Sequence, residues 1–256
     1  MTGNLAEGDL VQFIDNKGRR YQATLQTGKQ FHSHSGYIDH EDIIGLPEAS
    51  TVRTTRNQSF VVVRPTLSDF IFKMPRGAQV IYPKDIGPIL LLADISPGSR
   101  VLESGVGSGA LSMAMLRAGA HIVGYELRED FADRAQQNVS RFLGESVMDR
   151  YRVELRNCYD GIDETDLDRV VLDLPEPWQV VKHAERALRP GGILIAYTPS
   201  VVQVMQLRET LAGSRFFDPE TREVLHRTWH VEGQAVRPDH RMVAHTGFLT
   251  HARLGA

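Results

Sequence analysis

The sequence predicts an α/β fold, in which a mostly parallel sheet carries helices on both faces, preceded by a small module of β-strands. Apolar strand-like runs alternate with amphipathic helical patterns through most of the chain, which is typical of parallel sheets covered on both sides. One of these runs leads directly into closely spaced glycines. Residues 1–64 instead show strand patterns separated by turn signals, which indicates a separate all-β module.

The N-terminal module is predicted from short alternating segments. Residues 10–14 and 21–25 flank the turn signal Asp-Asn-Lys-Gly, and residues 51–63 are rich in threonine, valine and arginine. Such segments favour strands joined by tight turns. We therefore expect a small β-barrel or sandwich over residues 1–64.

Residues 65–256 are predicted to form the larger domain, and residues 65–90 link it to the β module. Residues 65–74 have the apolar spacing of a short helix. A second helix is expected through residues 90–92. Polar side chains precede this second helix: Gln79, Tyr82, Lys84 and Asp85. Their simplest interpretation is a linker with a helix cap.

The chain is organised around residues 101–126. A short apolar run meets three alternating glycines, Gly105, Gly107 and Gly109, and is followed by a helical pattern and a second apolar run that ends at Glu126. Strand, glycine turn, helix, strand and acid form the front half of a nucleotide-binding βαβ unit. Glycines permit positive φ and close ligand approach, and the N–H groups that open the helix favour negative charge.

Other residues of this unit suggest specific contacts. Ser108 is placed to cap the new helix. Glu126 lies at about the expected 20-residue offset for a carboxylate that accepts both hydroxyls of a ribose.

The glycine spacing leaves three interpretations open. Gly105-x-Gly107-x-x-Ala110 satisfies the loose dinucleotide fingerprint. Gly105-x-Gly107-x-Gly109 equally resembles motif I of class I methyltransferases that use S-adenosylmethionine. A glycine-rich loop with a purely structural role is the third interpretation, because the motif alone is weak.

The remaining pattern extends the alternation of strands and helices. A capping box is expected at Ser200 and Gln203. A helix before residue 190 is expected to end at Pro190-Gly191-Gly192. The other expected elements are a helix over residues 129–143, strands over 152–155, 169–172 and 193–197, and a late strand pair over 223–231 and 245–249.

Chemistry-bearing residues follow four successive predicted strands. They are the glycine turn, Glu126, the pair Asn157-Cys158, and Asp173. Ligands of parallel sheets bind beyond the carboxyl ends of the strands, so we expect these residues to meet in one cleft. Asp173 opens a proline-stiffened loop that suits a flat, nitrogen-bearing acceptor, and Trp178 in that loop is expected to pack against the core.

Composition excludes several classes of protein. The net charge is −3, from 29 basic and 32 acidic residues, which gives no global electrostatic case for nucleic acid. The single cysteine excludes an intrachain disulfide and suits a reducing compartment. There is no apolar run of about 18 residues that could span a membrane. Together these features predict a soluble cytoplasmic protein. His32, His34 and His40 have no matching cysteines, so no metal is expected.

Four stretches carry a resemblance to a known family: residues 64–85, 101–112, 171–178 and 227–249. On these the chain resembles the TrmI family of tRNA adenine-N1 methyltransferases. The resemblance implies a class I methyltransferase Rossmann-like sheet with a small N-terminal β-barrel-like module, S-adenosylmethionine as cofactor, and methylation of adenine 58 in the T-loop of tRNA. It also implies a homotetramer, and leaves open whether position 57 is modified.

The resemblance further implies roles for individual residues. Asp173 would be the catalytic carboxylate and would also border the cofactor. Glu126 would hold the cofactor's ribose, Asn157 and Cys158 would flank its adenine, and Gln79 and Tyr82 would close over the site. The methionine end would lie on the glycine loop: Gly105, Val106, Gly107, Ser108, Gly109, Ala110 and Leu111.

Two other functions fit the same βαβ unit. A nicotinamide-dependent oxidoreductase would need a hydride-handling partner such as His, Lys or Tyr, and no clear pairing is found. A non-catalytic RNA-binding protein on a methyltransferase fold would not need the glycine loop, Glu126 and Asp173 together. Candidates for contact with the phosphates of an RNA substrate are four arginines: Arg53, Arg56, Arg76 and Arg237.

Overall fold

A computed structural model describes residues 3–77 and 79–256 of the chain. Two compact units are present, Met1–Lys73 and Met74–Ala256. The helix Leu67–Lys73, which was predicted as part of the linking segment, groups with the first unit. No helix among the described residues is long and apolar enough to cross a membrane.

The first unit is the predicted all-β module with one helix. Its elements are β1 (Leu10–Asp15), β2 (Arg20–Thr24), β3 (Gln30–Ser33), β4 (Gly36–Asp39), β5 (Ser50–Arg53), β6 (Ser59–Val63) and α1 (Leu67–Lys73). An antiparallel sheet runs in the order β2-β1-β6-β5, and β3 and β4 form a separate hairpin. Stacked rings of Phe13 and Phe31, 3.8 Å between centroids, lie in its core.

The second unit is a seven-stranded sheet with helices around it. Its elements are α2 (Pro83–Leu92), β7 (Arg100–Ser104), α3 (Ala110–Arg117), β8 (His121–Glu126), α4 (Glu129–Leu143), β9 (Tyr151–Leu155), β10 (Leu167–Leu172), α5 (Val181–Ala187), β11 (Leu188–Thr198), α6 (Val201–Ala212), β12 (Phe216–Glu223), β13 (Trp229–Glu232), β14 (Ala235–Pro238) and β15 (Phe248–Leu254). The strand order is β12-β15-β11-β10-β7-β8-β9. Strands β7 to β11 are parallel, and β15 and β12 add an antiparallel edge.

Apolar runs buried on both faces hold this sheet together. Leu102, Val170 and Leu194 lie at its centre with at most 1% exposure, as expected for a parallel sheet between helices. The helix predicted over residues 129–143 is confirmed at both ends. The capping box is also confirmed, because Ser200 and Gln203 exchange side-chain and backbone hydrogen bonds.

Two details of the predicted pattern are wrong. The expected strand pair 223–231 with 245–249 is shifted, since β12 ends at Glu223, which pairs with Phe248 of β15, and the chain between these strands leaves the sheet. There β13 and β14 pair with each other across a tight turn at Gly233, whose φ is 55°. Local turn chemistry thus decides this pairing. The helix α5 ends at Ala187, ahead of the glycines, because β11 already pairs with β10 at Leu188.

Residues 225–244, called the arm from here on, make up this excursion. The hairpin β13–β14 is its only regular structure among the described residues, and a two-stranded sheet alone is marginally stable in water. Large apolar side chains of the arm are nevertheless exposed: Leu225, Trp229, Val231, Val236, Met242 and Val243.

Candidate active site

The glycine loop joins β7 to α3. Gly105, Gly107 and Gly109 have φ of 83°, 57° and 80°, which side chains rarely adopt. A Cβ on Gly105 would overlap the backbone carbonyl of Asp173. A Cβ on Gly107 would meet nothing within 4 Å, so Gly107 faces open space. The loop therefore presents bare backbone towards a ligand at Gly107 and packs tightly against the next strand end at Gly105.

The expected cap at Ser108 is wrong. Gly109 occupies the N-cap of α3 and makes no side-chain capping bond, so Ser108 lies one residue too early to cap the helix. Its hydroxyl is buried and has no hydrogen-bond partner. Buried polar groups usually have partners, so an unpartnered hydroxyl beside a helix N-terminus indicates that a polar ligand is expected there.

Glu126 ends β8 and is fixed by backbone N–H groups. Its Oε2 accepts from Gly107 at 3.1 Å, and its Oε1 accepts from Leu127 and Arg128 at 2.9 and 3.1 Å. These bonds hold the carboxylate against the glycine loop. Glu126 and Gly107 were predicted to belong to one βαβ unit, and in the structure a hydrogen bond joins them.

Two neighbouring cavities open at this edge of the sheet. The larger has a volume of about 460 Å³ and is lined by Gln79, Gly105, Gly107, Glu126, Asn157, Cys158 and Asp173, among others. The smaller is lined by Gln79, Gly105, Val106, Gly107, Ser108, Ala110, Leu111 and Asp173, with others. Two predicted site residues do not line either cavity. Gly109 packs near Ala135, and Tyr82 is the N-cap of α2.

The wall beyond Glu126 includes residues that the sequence reasoning missed. Leu127, Arg128, Phe131 and Tyr159 also line the larger cavity. The guanidinium of Arg128 lies 3.7 Å from the centroid of the Phe131 ring. Leu127 is an exposed apolar residue beside the cavity. This arrangement is visible only in the folded structure, so the sequence offered no signal for it.

Asn157 and Cys158 also line the larger cavity. Asn157 Oδ1 accepts from the N–H of Tyr159 at 3.1 Å, which fixes the turn after β9. Burial raises the pKa of the Cys158 thiol to about 11. The thiol is therefore neutral near pH 7 and suits packing rather than nucleophilic chemistry.

Asp173 follows β10 and borders both cavities. Its N–H donates to the carbonyl of Ser104 at 2.9 Å, which ties the loop to β7. Burial, and then the charge of Glu126, raise the pKa of its carboxyl to about 7. Trp178 packs against the core, as predicted.

Glu103 is a third acid that the sequence reasoning missed, because it reads as part of an apolar strand. It is 2% exposed, lines the smaller cavity, and accepts the Ser112 hydroxyl at 2.6 Å. Burial raises its pKa to about 8, and the charges of Asp173 and Glu126 act in the same direction. No described basic side chain forms an ion pair with it. Three acids around one site favour a cationic ligand.

Within residues 3–77 and 79–256, no group of three or more His, Cys, Asp and Glu side chains could hold a metal ion. His40 is buried, and its Nδ1 accepts from the N–H of Gln26 at 3.0 Å.

The strand order, the glycine cradle and the acid ending the second strand define a class I methyltransferase fold. The family model described as tRNA methyltransferase complex GCD14 subunit matches residues 59–237, and the TrmI-like N-terminal model matches residues 3–52. The chain therefore belongs to the TrmI family of tRNA methyltransferases.

Individual relatives agree with this assignment. The chain is 35% identical over 243 residues to tRNA (adenine(58)-N(1))-methyltransferase TrmI of Thermus thermophilus, covering 93% of this chain and 94% of that protein. It is 33% identical over 267 residues to the adenine-57 and adenine-58 enzyme of Methanocaldococcus jannaschii, covering 94% and 93%.

Solved structures agree on the fold. A SAM-dependent O-methyltransferase from Thermotoga maritima matches with a TM-score of 0.93 and 30% identity, over 99% of this chain and 96% of that chain. TrmI from Aquifex aeolicus matches with a TM-score of 0.85 and 27% identity, over 99% of both chains. The predicted family and fold class are confirmed, and neither alternative function receives support from these relatives.

Proposed function

We propose that this protein transfers a methyl group from S-adenosylmethionine to N1 of adenine 58 in the T-loop of tRNA. The observation that carries the proposal is the position of Asp173, which borders both cavities beside the glycine loop. The Thermus thermophilus relative is named for adenine 58, and the Methanocaldococcus jannaschii relative for adenines 57 and 58. Whether this chain also modifies position 57 is decided by the experiment below.

The residues of the two cavities fit S-adenosylmethionine. The bare glycine loop and the unpartnered hydroxyl of Ser108 suit its methionine end. Glu103, Glu126 and Asp173 place three carboxyl groups around the ligand, and a cationic ligand favours their ionised forms. The remaining expected contacts are Glu126 with the ribose, Asn157 and Cys158 with the adenine, and Gln79 as a cover. Tyr82 lines neither cavity, so its expected part in the cover would need a shift of its side chain on binding. Once bound, the cofactor supplies an electrophilic methyl group.

Asp173 supplies the chemistry for the acceptor base. N1 of adenine is a weak nucleophile, and its methylation leaves a cationic ring. A carboxylate that accepts a hydrogen bond from the exocyclic amine raises electron density at N1 and stabilises the developing charge. The loop that begins at Asp173 is held by Gln203, whose Nε2 donates to the carbonyl of Pro175 at 2.8 Å, so its backbone is fixed before substrate arrives.

The substrate must present a single base to this cleft. A base that is stacked within folded tRNA has to be extruded before its N1 can reach an enclosed site. Phosphate contacts then hold the RNA, and the candidate arginines Arg53, Arg56, Arg76 and Arg237 are all exposed.

A homotetramer in the cytoplasm is the proposed working form. The exposed apolar side chains of the arm support association, because a lone hairpin with such a surface gains stability when covered. The matching family is described as a complex subunit, and a Dictyostelium relative is called a catalytic subunit. A shared surface of several chains also suits an RNA substrate better than one chain of net charge −3. The single buried thiol, Cys158, suits a reducing compartment.

The proposal is tested with labelled S-adenosylmethionine and an unmodified tRNA transcript. We expect one methyl group per tRNA, located at N1 of adenine 58 by nuclease digestion and mass spectrometry. A matched transcript with guanine at position 58 is expected to accept none, and one with guanine at position 57 shows whether that position is also used. Equal labelling of the guanine-58 transcript at another site would reject the proposed target.

The pH dependence of methyl transfer follows from the two raised pKa values. Asp173 and Glu103 are protonated below about 7 and about 8, respectively, in the protein. Protonation removes the acceptor and the negative charge that a cationic cofactor needs. We therefore expect kcat/KM for S-adenosylmethionine, which reports the free protein, to rise with pH through this range.

The Glu103→Gln variant separates the two groups. Its profile is expected to lose the upper part of the rise and to keep the part near pH 7 that belongs to Asp173. A profile that is flat or falls across this range in the unchanged protein would contradict the assignment of both acids.

A further inference from the structure

Lys84 and Asp85 are not explained by the function proposed above. The sequence suggested only a linker with a helix cap, but the cap of α2 is Tyr82, without a side-chain capping bond. Lys84 and Asp85 are instead 8% and 0% exposed, and Lys84 Nζ lies 2.9 Å from Asp85 Oδ1. A buried ion pair gives little net stability compared with apolar residues, so this pair calls for a role beyond stability.

The other bonds of the pair reach both ends of the arm. Lys84 Nζ donates to the carbonyl of Val224 at 2.6 Å, immediately before the arm. The hydroxyl of Thr246 donates to Asp85 Oδ2 at 2.7 Å, just after the arm. One turn of α2 therefore holds the two places where the arm leaves and rejoins the sheet.

A second set of bonds lies at the same two places. His245 Nδ1 lies 2.7 Å from Glu223 Oε1, and its Nε2 lies 2.8 Å from the carbonyl of Pro199. The hydroxyl of Tyr197 donates to the carbonyl of Thr246 at 2.5 Å. Tyr197 is near the end of β11, next to β10, the strand that leads to Asp173. The base of the arm is thus joined to the strand end beside the catalytic carboxylate.

The same helix turn also adjoins the cofactor cavity. Gln79, Val80 and Ile81 line the smaller cavity together with the glycine loop and Asp173. This wall leads through Tyr82 directly into the turn that contains Lys84 and Asp85. Movement of the turn would therefore shift both the wall and the base of the arm.

We propose that Lys84, Asp85 and Thr246 are positioning residues that couple the base of the arm to the cofactor cavity. The buried pair forms hydrogen bonds with Val224 and Thr246. These bonds hold the wall at residues 79–82 and the hydroxyl of Tyr197 in position. Cofactor binding against the wall then stabilises the base of the arm, and a partner that orders the arm strengthens cofactor binding by the same factor. The inference rests on the proposed S-adenosylmethionine site.

The first test uses the unchanged protein. Hydrogen exchange is measured by mass spectrometry with and without S-adenosylmethionine, for peptides covering residues 79–85 and residues 220–250. We expect the cofactor to slow exchange in both segments. Protection of residues 79–85 without any at residues 220–250 would overturn the coupling. Failure of the cofactor to bind would instead reject the proposed function, which keeps the two outcomes distinct.

The second test removes one bond. Thr246→Val keeps the shape of the side chain and loses the donor to Asp85, and Thr221→Val is the matched control, since its hydroxyl bonds Thr250 on the neighbouring strand at 2.9 Å. We expect Thr246→Val to weaken S-adenosylmethionine binding about tenfold, the size of one lost hydrogen bond to a buried charge. The cofactor-dependent protection of residues 220–250 is expected to disappear.

Kinetics distinguish positioning from a general loss of stability. In Thr246→Val, kcat for methyl transfer is expected to fall while KM for tRNA stays close to that of Thr221→Val. Equal behaviour of the two variants in affinity, exchange and kcat would overturn the proposal.

Discussion

The Asp173→Ala variant is expected to transfer methyl groups about 10²- to 10⁴-fold more slowly than the unchanged protein while S-adenosylmethionine still binds. This is the range of rate enhancement that a positioned acid or base supplies. The carboxylate is the group proposed to accept the exocyclic amine of adenine, so its removal lowers the nucleophilicity of N1. Calorimetry and a labelled-methyl assay on one preparation measure both quantities. Cofactor affinity is expected to change far less than turnover, because Glu126 and the glycine loop remain.

Glu176→Ala is the matched control for this experiment. Glu176 lies in the same loop, is exposed, and its carboxylate accepts a bond from Gln179 at 2.6 Å. We expect this variant to methylate tRNA at a nearly normal rate. If Asp173→Ala were as active as Glu176→Ala, the carboxylate would have no part in the transfer.

The Gly105→Ala variant is expected to lose both stability and cofactor binding. Gly105 has φ of 83°, and a Cβ there would overlap the carbonyl of Asp173. Backbone on both sides of this contact leaves no flexible side chain that could move. Thermal unfolding is expected to show a loss of stability of several kcal/mol or more, above the roughly 1–2 kcal/mol that a positive φ alone costs. Titration with S-adenosylmethionine is expected to show weaker binding.

Two further glycine variants separate the causes. Gly98→Ala carries a positive φ of 85° with nothing within 4 Å of the new Cβ, so it reports backbone strain away from the site. Gly107→Ala has φ of 57° and equally open space, and is expected to unfold much like Gly98→Ala while losing cofactor affinity. If Gly107→Ala bound S-adenosylmethionine normally, the ligand would not approach the loop at this point.

Local patterns predicted the parts of the fold that local interactions decide. The glycine unit and α4 follow from residues close together in sequence, and both formed as expected. Ser108 was placed wrongly as a cap because Gly109 in the left-handed region takes the cap position. The arm was missed because the turn at Gly233 pairs β13 with β14, against the longer-range pairing that apolar residues suggested.

Some features of the site depend on contacts between residues that are far apart in the sequence, and local patterns could not predict them. Lys84 bonds a carbonyl 140 residues away, and Asp85 bonds a hydroxyl 161 residues away. No periodicity connects such positions, so the pair resembled an ordinary linker. Glu103 was missed for a related reason, since its burial becomes visible only when α3 covers β7 and brings Ser112 to it. By contrast, the meeting of Glu126, Asn157 and Asp173 followed from parallel strand ends sharing one edge.

The most direct measurement of the central claim is a crystal structure of the protein with S-adenosylhomocysteine. The account predicts that both ribose hydroxyls contact the carboxylate of Glu126 and that the methionine end lies along Gly105 to Leu111. It also predicts that the sulfur faces a purine-sized space bordered by the Asp173 carboxylate. A ligand whose ribose lies away from Glu126, or whose sulfur is turned away from Asp173, would contradict it.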